Sequence, residues 1–352
     1  MRKNKINLNY LMSERNNQKS NYDINLGILK IYLSFLVVNT HCLKRKNIEN
    51  KYLLKFLVNN LHVPIFFIIS FYFCHKIFLS KNIEKIKQRF ERILLPYFVW
   101  PIVVWIFNNL FSFFFKIKLI NSFNELKIQL LTGHCFLTVL WFQYNLIFTT
   151  LLIVIISFLF KHNTILILIN LWNISYFLQF SNINFIFFSK YDFYIKYTFG
   201  RFFEILPYCI TGFIFSSLKI IDKLKKYRFI SFYILISILI FIKRCNIFVR
   251  IKGFAYEGFN LYIASVSFFI IIKIIPINQN NKVIIKIVKI LSNKTSGIYY
   301  LHIPIKNYLT NCFLLVKKRT ILGSIIIYLF CYFISTIGLL LFKNTKLRHL
   351  FQ

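Results

Sequence analysis

Carboxylates are scarce in this chain: 10 Asp+Glu in 352 residues, against 45 Lys+Arg, leave a formal charge of +35. Alanine is almost missing, with only Ala255 and Ala264. The seven cysteines (Cys42, Cys74, Cys135, Cys209, Cys245, Cys312, Cys331) form no C-x-x-C pair, so neither a disulfide framework nor a zinc site is expected. No other metal constellation appears. There is no G-x-S-x-G elbow and no Gly-rich phosphate loop, which leaves lipase-like and ATP-driven mechanisms unsupported. The positive charge comes without any nucleic-acid-binding module pattern, and no nucleic-acid partner is expected. The basic residues lie between apolar runs, as in membrane-protein loops, where anionic headgroups attract them. Richness in Lys, Asn, Ile, Phe and Tyr is also what an AT-rich coding sequence produces. The polar start, residues 1–22, lacks a small-residue cleavage site beside an apolar core, so the first span reads as an uncleaved anchor.

What is present is apolar. Hydrophobic residues make up 57% of the chain, aromatics 20%, and the mean hydropathy is +0.61. Runs of about 20 apolar residues match a ~30 Å hydrocarbon core, and backbone groups in lipid must pair internally, so the spans are helices. The fold class expected is all-α: a polytopic integral membrane protein with about ten transmembrane helices and no sizeable soluble domain. The spans fall near 24–43, 56–75, 93–115, 139–160, 164–180, 199–218, 229–243, 259–275, 296–315 and 320–342. Residues 1–23 form a basic N-terminal tail, 24–342 the transmembrane domain and 343–352 a short basic C-terminal tail. The longest connections, 76–92, 116–138 and 181–198, are too short to fold alone. With both termini in the cytoplasm, the inner segments carry 25 Lys+Arg and the outer loops 18, a modest bias toward that orientation.

The first span carries the most chemistry. Lys30 and His41 are eleven residues apart, so on a helix they differ by 1100°, or 20° from eclipsed, with a rise of ~16 Å between them. Asp23, Gly27 and Ser34 fall on the same stripe. Two arrangements fit this polar face: it lines a cavity within the membrane, or Lys30 snorkels to the interface while His41 caps the other end. Beyond the second span, Arg89 and Arg92 lie three apart on one helical face. Two guanidiniums so placed suit a phosphate or pyrophosphate, although a positive-inside loop would also contain them. Glu204 in the sixth span is either a functional intramembrane acid or the partner of Arg201. Thr295, Tyr299, His302 and Lys306 share a face of the ninth span, which Pro304 kinks, and read as cavity lining.

Several of these residues stand in segments that resemble the acyltransferase-3 family of membrane O-acyltransferases, which modify bacterial surface polysaccharides and lipopolysaccharide. That family opens with an Arg, ten residues, then a His; Lys30 and His41 match the spacing, with Lys in place of Arg. The family's V-P-x-F-F-x-x-S-G resembles Val63-Pro64-Ile65-Phe66-Phe67-Ile68-Ile69-Ser70, with Phe71 where the family has Gly. Its R-x-x-R before Pro-Tyr resembles Arg89, Arg92, Pro96 and Tyr97; its Leu-Trp-Phe resembles Leu140-Trp141-Phe142; its late Gly-Ile-Tyr-x-x-His resembles Gly297 to His302.

The resemblance implies transfer of an acyl group, most simply acetyl, to a glycan or lipid-linked sugar hydroxyl in the bacterial inner membrane. No tightly bound cofactor is expected, and acetyl-CoA or another acyl-CoA acts as co-substrate. Arg89 and Arg92 would hold the donor phosphates. His41 would act as general base, or carry the acyl group, and Lys30 would orient the donor. Asp23 and Glu204 would be acid partners, with Ser70, Trp141, Tyr299 and His302 lining the cavity. A multi-span transporter or flippase is the alternative, and it would be expected to show internal repeats or interrupted spans, which the sequence does not display.

Overall fold

The computed structural model describes residues 22–42, 61–115, 122–133, 135, 137, 139–160, 163–180, 193–244, 259–277, 281–312 and 320–351. Residues 1–21 of the N-terminal tail, the start of the second expected span (56–60) and residues 181–192 of the third long connection lie outside them. Among the described residues the chain is helical, in thirteen α-helices. These are α1 (Ile24–Cys42), α2 (His62–Leu79), α3 (Ile83–Phe115), α4 (Phe123–Thr132), α5 (Leu140–Leu159), α6 (Thr164–Phe180), α7 (Phe193–Ser217), α8 (Ile220–Lys226), α9 (Arg228–Arg244), α10 (Phe259–Ile274), α11 (Lys282–Ser292), α12 (Thr295–Cys312) and α13 (Ile321–Leu341). One 3₁₀ turn, Lys346–Leu350, follows.

Each of the ten expected apolar stretches falls on a helix, but length and hydropathy qualify fewer as spans. Five helices among the described residues are long and apolar enough to cross a membrane: α1, α2, residues 83–110 of α3, α5 and α13. A sixth qualifies if residues 200–217 of α7 and helix α8, bent by 64° from each other, count as one. Helices α6, α9 and α10 are apolar but shorter over their described lengths. Helix α12 dilutes its apolar residues with Thr295, His302, Lys306, Asn307 and Asn311, which lowers its hydropathy. The same polar residues that interest a chemist thus hide the helix from a hydropathy criterion. Many large apolar side chains face outward, among them Leu159, Phe229, Leu340 and Leu341. In water such a surface would be a liability; against lipid it is what the helices require.

Helix α1 sits among α2, α10, α11, α12 and α13. Its polar groups are tied to late parts of the chain. Asn25 Nδ2 donates to the Ile272 and Ile275 carbonyls at 2.6 and 2.8 Å, Asp23 is ion-paired with Lys273, and Ser34 Oγ lies 3.2 Å from the Tyr328 hydroxyl. The most extensive helix–helix contact joins α2 and α7. It depends on Gly212, where a β-carbon would run into the backbone carbonyl of Ile68, the close-approach role that small residues play between membrane helices.

Between α3 and α5 the chain folds back into the bundle. Helix α4 begins with a capping box, Ser122 and Glu125 each accepting the other's backbone N–H at 3.2 and 3.0 Å, and ends on left-handed Gly133, φ 68°. Gln129, fully buried, then accepts the amides of Cys135 and Leu137 at 3.0 and 2.9 Å. This satisfies backbone donors that an apolar surrounding would leave costly. Two apolar clusters result. One runs along the first half of α1 with α2, α5, α7 and α10. The other joins Val37, Val38 and Cys42 to α3, α12 and α13, and Phe66 and Phe142 pack against both.

Candidate active site

A cavity of about 690 Å³ opens beside Lys30, and residues from six helices and the C-terminal turn line it. Its basic groups are Lys30 from α1, Lys85, Arg89 and Arg92 from the first turns of α3, and His349. No Asp or Glu is among the described lining residues. Two lysines and two arginines around one space, with no described lining carboxylate beside them, suit an anion. Arg89 and Arg92 face it together because they are one turn apart on α3, and the Arg89 guanidinium donates to Ser70 Oγ of α2. That bond fixes one arm of the guanidinium and leaves its other donors for a ligand. Lys30 reaches the same space, its Nζ 5.3 Å from the centre of the Phe73 ring, close enough for a cation–π contact. Of the α1 stripe, Lys30 lines the cavity, whereas Asp23, Gly27, Ser34 and His41 are not among its lining residues.

The far side of the cavity is aromatic. Phe66, Phe142 and Tyr299 line it and touch each other, with ring centroids 6.4 Å apart for Phe66–Phe142 and 5.2 Å for Phe142–Tyr299. Tyr299 is held by a 3.0 Å bond from its hydroxyl to the Val139 carbonyl. Tyr300 donates to Gln143 Oε1 at 2.8 Å, and Gln143 Nε2 in turn donates to the Ile93 carbonyl at 2.7 Å.

Beyond Tyr299 lies a group of imidazoles. The His302 ring centroid is 6.1 Å from that of Tyr299 and 5.0 Å from that of His41. His302 is fully buried. Its Nδ1 faces the Ile298 carbonyl at 3.3 Å, and its Nε2 has no hydrogen-bond partner among the described residues. If Nδ1 carries the proton, as that carbonyl favours, Nε2 presents a bare lone pair. His62 stands near His41, and its own Nδ1 is buried without a partner among the described residues. Lys306 stands one turn beyond His302 on α12. Buried polar atoms without partners are uncommon in folded proteins, and here two lie in one group. No set of three His, Cys, Asp or Glu among the described residues could hold a metal ion.

The remaining sequence candidates divide. Ser70 and Tyr299 join Lys30, Arg89 and Arg92 at the cavity. Asp23 lies eighteen residues from His41 at the opposite end of α1, where it accepts the Leu26 amide at 3.1 Å and pairs with Lys273. Trp141 lies outside the cavity lining, under the Arg201 guanidinium at 4.1 Å from its ring centre, and Glu204 is buried on the same helix as Arg201. Phe71, where a glycine was expected by resemblance, packs into the core against Phe78 and does not narrow the cavity. Sequence reasoning assigned His349 no role, and it read His302 as cavity lining, whereas His302 is not among the lining residues and packs against His41 instead. No local signal could have shown either placement, because both depend on which helices meet.

Helices built for lipid surround a charged cavity and an imidazole group, and a family comparison gives the class of chemistry. A family model described as an acyltransferase domain matches residues 23–343. The chain belongs to the acyltransferase-3 family and is an enzyme that transfers acyl groups. No curated protein and no solved structure matches it.

Proposed function

We propose that the protein takes an acyl group, acetyl by family resemblance, from a coenzyme A thioester and transfers it to a hydroxyl of a cell-surface glycan or its lipid-linked precursor. The observation that carries this reading is the cavity: about 690 Å³, lined by Lys30, Lys85, Arg89 and Arg92 and by no carboxylate among the described residues. A donor with several phosphates at one end meets the cations there, while its thin thioester-bearing arm extends toward the Tyr299 side. His41 takes the proton from the acceptor hydroxyl. The oxygen attacks the thioester carbonyl, the C–S bond breaks, and the thiolate leaves with a proton. Lys30 orients the donor end. Asp23, held by Lys273, serves the end of α1 rather than the imidazole. The glycan acceptor, the bacterial inner membrane and a cytoplasmic location for both termini rest on the resemblance and on the lysine and arginine bias of the loops.

The test is binding and turnover of acetyl-CoA carrying a labelled acetyl group by the purified full-length protein in lipid nanodiscs. Saturable binding, and label appearing in the native glycan, are expected. No binding up to about 1 mM, the upper end of ordinary KM values, would remove the donor assignment.

A further inference from the structure

The matched family domain ends at residue 343, yet the structure places a residue from beyond it in the cavity wall. That residue is His349, on the 3₁₀ turn Lys346–Leu350.

The segment is built into the protein rather than trailing from it. Trp100 Nε1 of α3 donates to the Leu350 carbonyl at 3.2 Å. Leu350 and Phe351 are both buried. The Phe351 ring meets Trp100 edge-on at 5.6 Å and stacks on Phe342 at 6.0 Å. It also covers Gly338 so closely that a β-carbon there would strike it. An exposed ion pair, Lys346 Nζ to Glu91 Oε1 at 2.8 Å, adds little energy but fixes direction. These anchors leave His349 little choice of position: the bonded Leu350 follows it, and α3, which carries Arg89 and Arg92, lies beneath it.

We infer that this C-terminal segment is part of the donor site and that His349 supplies a contact to a phosphate of the acyl donor, beside Arg89 and Arg92. The inference rests on the reading of the cavity as the donor site. It extends that site to a stretch of chain the family domain does not include. An imidazole suits the place: its N–H donates to a phosphate oxygen whether the ring is neutral or charged.

Acetyl-CoA affinity of the purified full-length protein in nanodiscs separates the possibilities. His349→Ala should weaken binding about ten- to a hundredfold, the loss of one hydrogen bond to a charged group. His349→Lys, which keeps a donor, should recover most of it, a rescue that a purely structural role would not give. Phe351→Ala, which touches no ligand, should weaken binding as much by releasing the segment. Arg89→Ala should weaken it in every case. Thermal unfolding of each variant in the same nanodiscs checks that it is folded. His349 is partly exposed, so both of its substitutions should leave the midpoint unchanged. If His349→Ala binds as the wild type does while Arg89→Ala has lost affinity, the segment is scaffolding and the donor site stands without it. If neither changes affinity, the cavity is not the donor site, and the assignment of His349 falls with it.

Discussion

Replacing His41 with alanine removes an imidazole that is exposed at the last turn of α1, so the substitution opens no hole in the packed interior. Stability and expression should therefore change little. The effect on chemistry should be large: a general base contributes about 10²–10⁴ in rate, equivalent to ~3–5.5 kcal/mol of barrier. Donor affinity should survive, because His41 stands a rise of ~16 Å along the helix from Lys30 and is not among the cavity-lining residues. The expected result is a fall of at least about a hundredfold in kcat with KM for acetyl-CoA nearly unchanged. His302 supplies the control. Its ring is fully buried, so His302→Ala would leave a cavity costing on the order of 2–4 kcal/mol, and His302→Gln, which keeps a polar group there, is the fairer probe. It should lower kcat less than His41→Ala. With ring centroids 5.0 Å apart, the two histidines should also couple, the double variant losing less than the product of the single losses. The assay is transfer of labelled acetyl to the native glycan. Wild-type turnover in His41→Ala, with turnover lost in His302→Gln, would show that the roles had been assigned the wrong way round.

Three further outcomes are expected. Arg89→Ala or Arg92→Ala should raise the acetyl-CoA KM ten- to a hundredfold, as for a lost charge-assisted contact of ~1.5–3 kcal/mol; an unchanged KM in a well-expressed double variant would return both to loop duty. Gly212→Ala forces a methyl group against the Ile68 carbonyl and should cost about 1–3 kcal/mol, read as a lowered unfolding midpoint in detergent; wild-type stability would mean that α2 and α7 can part without penalty. Reporter fusions after Gln352 and within residues 116–121 should report cytoplasmic and external locations respectively, and an external C-terminus would overturn the proposed orientation.

The helices were legible because lipid imposes a simple rule: an apolar run of sufficient length must pair its backbone within itself. The stripe through Lys30, Ser34 and His41 was legible for the same geometric reason, since helical phase places residues eleven apart on one side. Arg89 and Arg92 were found by one-turn spacing. What sequence could not supply was the company these residues keep. Asp23 shares the stripe with His41 but is taken up by Lys273, 250 residues away. His302 lies 261 positions beyond His41 in sequence, yet their rings are neighbours. His349 sits in a short tail with no pattern of its own, and only the docking of Phe351 and Leu350 brings it to the cavity. The ten spans read from the sequence include α12, but length and hydropathy qualify only five or six among the described residues, because α12 trades apolar residues for polar ones.

The bonds that hold α1 have a consequence for how the chain is made. Its partners are Ile272, Ile275 and Tyr328, at sequence separations of 247, 250 and 294 residues. At a synthesis rate of about 5–20 residues per second, the first helix waits roughly 10–60 s for them. During that time Asn25 and Asp23 must be served by headgroups, water or the insertion machinery. The helix at the centre of the finished enzyme is thus the first to be made and among the last to be secured, so truncated chains ending before residue 272 should hold it only loosely.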